Sequence, residues 1–311
     1  MTEPALATLV ADELALAVDP RVTAMAGAIA ARYGAAARAV LFYGSCLRSR
    51  ELHGQMLDFY LIVSDYGAAY GRSWKASANR LIPPNVFPFA HEGLVAKYAV
   101  LSEADFFRLN GPDGLSVSVW ARFAQPSRLV WWSGEPAVQH VVRAVARAAP
   151  TLLAAARPMI VPDRLDDPLE LWREAFRLTY RSELRAERGG RAASVVDADP
   201  ERYRRFTGPT LEAAAIGRLH PDETALLEEV SERTRSQARK LWTRRARTGK
   251  ALTLLRLAKA SGTYAGGIDY LAWKINRHAG TSFEIKPWQR RWPLLGALTL
   301  LPRLLKRGAI G

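Results

Sequence analysis

One cysteine in 311 residues, Cys46, excludes both a disulfide framework and a cysteine zinc site. Histidine is scarce too: His53, His91, His140, His220 and His278 show no metal-ligating spacing, so zinc is not implied. The late apolar run Leu294 to Leu301 is about half the roughly 20 residues that a membrane-spanning helix needs, and no other segment suggests a span. The N-terminus lacks a basic stretch ahead of its apolar residues, which Asp12 and Glu13 interrupt, so no secretory signal is expected. Neither an internal repeat nor a low-complexity linker is found. The C-terminal part has little acid: residues 233–311 hold 18 Lys plus Arg against 2 Asp plus Glu. Their net charge is +16, against +2 for residues 1–150 and −4 for residues 151–232. A polyanionic partner is therefore expected at the C-terminal part, with nucleic acid and anionic lipid as the candidates.

There is ample material for a core, with 49% hydrophobic and 24% charged residues. Residues 5–33 carry helical spacing broken near Asp19-Pro20, which predicts two helices. Four apolar runs read as strands: Ala39 to Tyr43, Leu57 to Val63, Leu94 to Leu101 and Arg128 to Trp132. Helices are expected between them, at about 67–80, 102–109 and 114–123. From Pro136 onward the pattern is helical throughout. Segment 168–188 puts Leu169, Trp172, Phe176, Tyr180 and Leu184 on one face before Gly189-Gly190, and further helices follow at about 222–247, 250–260 and 264–278. The expected fold class is α+β, with a mixed-sheet domain over 1–157 and a mostly helical domain over 158–311.

The most informative local feature is Val40-Leu41-Phe42-Tyr43-Gly44-Ser45, with Asp58 thirteen residues after Ser45 in the next strand. A buried strand ending in Gly-Ser at a helix start exposes amides and a hydroxyl to phosphates, since glycine permits close approach. An Asp on the neighbouring strand can hold the magnesium that bridges such phosphates. The same residues also suit an ordinary turn and a strand-edge Asp. Asp65 reads as a second metal ligand or as the cap of the next helix, the cap being favoured. Glu92 is the other candidate for the metal shell, or a solvated loop residue. Lys97 lies in an otherwise apolar strand, where an unpaired ammonium is costly. It points to a phosphate, or guards a sheet edge. Arg122 either contacts a phosphate or is solvated, and Cys46 is assigned no chemistry.

This Gly-Ser and Asp arrangement resembles the nucleotidyltransferase superfamily, which usually has a second carboxylate two residues after the first; here that residue is Tyr60. More specifically, the chain resembles the mitochondrial-type phosphatidate cytidylyltransferases, also called translocator assembly and maintenance proteins, and their bacterial relatives. The resemblance rests on Tyr43-Gly44-Ser45, Met56 to Asp65, Pro84-Asn85-Val86-Phe87, Ala96 to Ser102 and Ala121 to Pro126, and later on Thr179 to Arg185 with Gly189-Gly190 and Ala260 to Lys274, in order over about residues 38–280. It departs from the family at Trp74 to Arg80, at Ala124-Gln125-Pro126 and at Ala99. The resemblance implies an N-terminal nucleotidyltransferase-like domain and a Mg2+-dependent transfer of CMP from CTP to phosphatidate. Asp58 and Lys97 would be catalytic, Gly44, Ser45, Lys97 and Arg122 would bind nucleotide, and Asp58, Asp65 and Glu92 would hold metal. No general base is needed, because a phosphate monoester is already an anionic nucleophile. The alternatives are another acceptor (a different lipid phosphate, RNA or protein) and a degenerate, non-enzymatic lipid- or nucleic-acid-binding scaffold.

The basic C-terminal region interleaves Lys250, Arg256, Lys259, Lys274, Arg277, Lys286, Arg290 and Arg291 with Trp273, Trp288 and Trp292, ahead of a leucine-rich stretch to Leu305. That mixture suits an interfacial segment on an anionic membrane and disfavours nucleic acid, since an RNA-binding tail gains nothing from exposed leucines. A peripheral position at the cytoplasmic face of a membrane is the resulting expectation; the oligomeric state is left open.

Overall fold

The computed structural model describes residues 3–49, 51–114, 116–161, 163–182, 191–263 and 284–288. The expected helix at 264–278, the Gly189-Gly190 stop, Trp292 and the leucines beyond it lie outside the described residues.

The fold is α+β. Two helices, α1 (Glu3–Leu14) and α2 (Pro20–Ala31), precede the sheet strands β1 (Ala37–Tyr43) and β2 (Met56–Val63), with the short α3 (Ser45–Ser49) between the strands. Then come α4 (Tyr66–Tyr70), α5 (Trp74–Leu81), β3 (Asn85–His91), β4 (Leu94–Ser102), α6 (Glu103–Leu109), α7 (Trp120–Phe123) and β5 (Ser127–Trp132). The sheet order is β3-β4-β2-β1-β5, with β2 and β4 parallel and the other pairs antiparallel.

Alternation along the strands divides the core into two layers. On one face Phe42, Phe59, Leu61, Tyr98 and Val100 pack with Val22, Met25 and Ile29 of α2. On the other face Leu41, Tyr60, Ile62, Ala99 and Leu101 pack beneath α1, α6, α7 and two further helices, α8 (Glu135–Ala146) and α9 (Ala148–Ala156). The same core continues past the boundary expected near residue 157 into the later elements. These are β6 (Arg164–Leu165), α10 (Leu169–Ser182), α11 (Arg191–Asp197), α12 (Pro200–Ala213), β7 (Gly217–Leu219), β8 (Ala225–Leu227) and the 32-residue α13 (Glu232–Thr263). Trp172, Phe176, Tyr203, Phe206 and Trp242 carry it.

Three expectations are corrected. Residues after 136 are not helical throughout, because β6, β8 and β7 form a three-stranded sheet. The helix expected from 222 begins at Glu232 and runs unbroken through 250–260. Of the helix expected at 114–123 only α7 forms. A strand the sequence pattern did not announce, β3, contains Pro88; it is an edge strand, where a missing ladder donor is tolerated.

A sealed ion pair ties the ends of the core together. Arg202 of α12 donates through two guanidinium nitrogens to both Glu13 oxygens of α1, and through the third to the Ala124 carbonyl at 3.1 Å. Along α13, the Trp242 indole donates to the Ala155 carbonyl at 3.0 Å. Among the described residues no helix is long and apolar enough to cross a membrane.

Candidate active site

The site gathers where β1 ends and β2 begins. Antiparallel pairing sets Tyr43 opposite Asp58, and parallel pairing sets Asp58 beside Lys97, so the three side chains share the face that carries Tyr60 and Ala99. Lys97 Nζ lies 3.1 Å from Asp58 Oδ1, with the two side chains 40% and 19% exposed. Gly44 follows β1 at φ +95°, in the left-handed region that favours glycine, and a Cβ built there would lie 2.9 Å from Asp58 Oδ2. Conformation and space thus both call for glycine, and its bare backbone leaves open ground beside the carboxylate. Ser45 opens α3 with an exposed side chain.

Arg122 comes to the site from α7, whose Phe123 packs on the sheet. Its guanidinium donates to the Ser118 carbonyl and reaches the Tyr43 hydroxyl. Burial pushes the Tyr43 phenol well above its ordinary pKa, the Asp58 and Tyr60 side chains push the same way, and Arg122 opposes them. Tyr43 is therefore a neutral hydroxyl. Cys46 donates to the Met56 carbonyl at 3.6 Å, and burial, then the Asp58 charge, raises its thiol pKa.

The carboxylates expected to share a metal do not converge. Asp65 stands at the other end of β2, seven residues and about 20 Å of strand from Asp58. Its Oδ1 accepts from the Gly67 and Ala68 amides at 2.7 and 2.9 Å, the work of a helix cap. Glu92 sits in the β3–β4 hairpin at φ +47°, with a 62% exposed side chain 3.7 Å from His91 Nε2. Among the described residues no three His, Cys, Asp or Glu side chains are grouped to hold a metal ion. Tyr60, at the second carboxylate's position, is 2% exposed, with ring centroids 5.2 Å from Tyr43 and 5.1 Å from Phe123. It is a core residue, and no carboxylate would sit there without a partner. What remains is one carboxylate, Asp58, in a cradle that a Cβ at residue 44 would fill. Magnesium is commonly bound through one or two carboxylates plus substrate phosphates, so this donor set fits a metal that arrives with a triphosphate, and not an all-protein cage.

Away from this site, an open groove of about 590 Å³ runs along the outer face of α13, lined by Arg239, Lys240, Thr243, Arg244, Arg247 and Thr248. Two cations counted on the sequence as part of that basic surface are turned inward instead: Arg256 is half-buried and Lys259 is 8% exposed. The signal for this was their i, i+3 spacing within the apolar run Leu252 to Ala260, which pulls one side of the helix into the protein.

Compared with known proteins, the chain matches no protein-family model and no curated protein.

Proposed function

We propose that this chain is a CTP-dependent phosphatidate cytidylyltransferase, making CDP-diacylglycerol and pyrophosphate at a membrane surface. The observation that supports it best is the juxtaposition of Gly44, Asp58 and Lys97, one carboxylate and one ammonium facing space that only a glycine leaves open. In this reading the triphosphate lies against Gly44 and Ser45, Lys97 and Arg122 meet the charge on its phosphates, and Asp58 is the protein's ligand to magnesium. When bound with the nucleotide, Mg2+ supplies charge neutralisation on the phosphate oxygens. An oxygen of the phosphatidate monoester bonds to the α-phosphorus of CTP, the bond from that phosphorus to the bridging oxygen breaks, and pyrophosphate leaves with the electron pair. No proton has to be removed from the nucleophile, which agrees with a site whose Tyr43 phenol is neutral.

Peripheral attachment to anionic membrane belongs to the same reading. The exposed α13 cations and the partly exposed Leu241 and Leu255 support it, as does the composition of the segment beyond residue 288. The burial of Tyr60 favours one rival, a degenerate domain that binds lipid without chemistry.

The test is incubation of the purified chain with each α-labelled NTP, Mg2+ and phosphatidate vesicles, followed by lipid extraction. Label from CTP in CDP-diacylglycerol is expected. Label in a different lipid, RNA or protein would change the acceptor, and no transfer together with no nucleotide binding would leave the scaffold.

A further inference from the structure

The described residues bury three cations, Arg157, Arg202 and Lys259. Arg157 meets Asp163, and Arg202 meets Glu13. Lys259 differs: its ammonium donates to the backbone carbonyl of Ile82, and among the described residues no carboxylate pairs with it. One helical turn earlier Arg256 donates to the Pro83 carbonyl at 2.9 Å and to Ser118 Oγ at 2.9 Å. Ser118 is buried, shares its hydroxyl with Ser116 at 2.7 Å, and gives its carbonyl to Arg122. Three cations from two helices thus converge on the short segments 82–83 and 116–118.

We propose that Arg256 and Lys259, with the Ser118 hydroxyl, form a seat for a phosphate group of a substrate, on the sheet face that carries Asp58 and Lys97. A buried ammonium is costly, and a neutral carbonyl offsets little of that cost for Lys259; a phosphate beside it would also lie within the field of the Arg256 guanidinium. Burial first, and then the charge of Arg256, lowers the Lys259 pKa to about 7, in line with a charge that is unfavourable where it lies. The placement suits a substrate. Ile82 and Pro83 lead into β3, whose Asn85 pairs with Val100, three residues and about 10 Å along β4 from Lys97. One extended substrate, or two meeting at Asp58, covers that distance. The existence of the seat is independent of the proposed activity. Which phosphate fills it rests on that reading: the end of the triphosphate or the acceptor's monoester.

The competing explanation is a brace that pins α13 to the 82–84 segment, and binding measurements separate the two. Thermal shift and calorimetric titration of the full chain would use inorganic pyrophosphate, CTP and dioctanoyl phosphatidate, each with Mg2+. The wild-type chain should bind at least one of them. Lys259→Met should fold, with a melting temperature equal to or above wild type in the absence of anion, and should bind that anion at least about tenfold more weakly. Weakening confined to CTP and pyrophosphate places the triphosphate in the seat, and weakening confined to the lipid places the acceptor there. Unchanged affinity in Lys259→Met, or no anion binding by wild type, overturns the proposal. If Lys259→Met does not fold, Arg256→Gln is judged by the same tenfold criterion. Because these readouts are of binding, a wild-type chain that binds anion through Lys259 yet forms no CDP-diacylglycerol would sink the proposed activity and leave the seat standing.

Discussion

Glu13–Arg202 and Asp58–Lys97 are both carboxylate–cation pairs on the same side of the sheet, yet their surroundings differ. The first is 6% and 4% exposed, and two guanidinium nitrogens meet both carboxylate oxygens. The second is 19% and 40% exposed and has one ammonium contact at 3.1 Å to one oxygen, with the other oxygen turned toward Gly44. A desolvated, bidentate pair fixes geometry, and removing one partner strands a buried charge. A half-open, single-contact pair gives about 0–1 kcal/mol to stability. The contact between Asp58 and Lys97 therefore contributes little to holding the fold. Lys259 is a third case, buried like Arg202 but with no carboxylate partner among the described residues.

Mutation should pull these cases apart. Asp58→Ala is expected to take CMP transfer to background, a loss on the order of 10³-fold or more, while shifting the melting temperature little; normal turnover would remove Asp58 from the mechanism. Glu13→Gln should show the reverse pattern, about 3–5 kcal/mol lost in denaturant unfolding with near-normal turnover per folded molecule. A small stability change would mean that water or another group covers the Arg202 charge. For Lys97→Ala a rate loss of roughly 10²-fold is expected. Lys97→Arg should not restore it, because a planar fork presents its charge differently from a compact ammonium. A near-normal rate in Lys97→Ala would make the lysine a sheet-edge device.

What the sequence revealed follows the same division between local and distant determinants. Strands β1, β2, β4 and β5 and the pair α1 and α2 were legible because unbroken apolar runs and an Asp-Pro start encode them locally. The neighbourhood of Gly44 and Asp58 was legible for the same reason, since one hairpin-like connection brings them together. The metal shell was not: Asp65 lies only seven residues from Asp58, but strand rise turns that separation into about 20 Å. Nor was the inward turn of Lys259, whose partner Ile82 is 177 positions away in the chain. Composition could count its charge without saying which way it pointed. Strand β3 and the small β6–β8–β7 sheet were missed because an edge proline and strands of two or three residues leave no usable period.

The Lys259 case carries a pH signature. Its ammonium faces Arg256 on its own helix, and Arg122 stands across Ser118 on α7. Its pKa falls from an ordinary 10.5 to about 7 in the folded protein, so between those values the unfolded chain holds a proton that the folded chain has released. Wild-type stability therefore gains a rising contribution from pH 7 to 10.5, and the full cost of the charge is present below 7. Lys259→Met lacks that term. In anion-free buffer it should be more stable than wild type at pH 6, by on the order of 1–2 kcal/mol, with the difference shrinking toward pH 10. An equal difference at both pH values would show that packing, and not charge, sets the effect.

The smallest effect is expected at Asp65, where the comparison between structural and chemical carboxylates is cleanest. Its backbone is extended at φ −157° and ψ 166°, and one oxygen takes both free amides at the start of α4. Loss of such a cap costs about 1 kcal/mol. Asp65→Ala should therefore lower stability by about that amount and leave the transfer rate and its Mg2+ dependence unchanged. Asp65→Asn sharpens the test, because an amide oxygen caps a helix almost as well as a carboxylate but is a much poorer magnesium ligand. A cap thus predicts that Asn restores the stability and that neither variant alters the metal requirement. If Asp65→Asn instead keeps full stability while raising the Mg2+ concentration needed for half-maximal rate, Asp65 reaches the metal in the working enzyme, and the separation of the two ends of β2 no longer divides structure from chemistry.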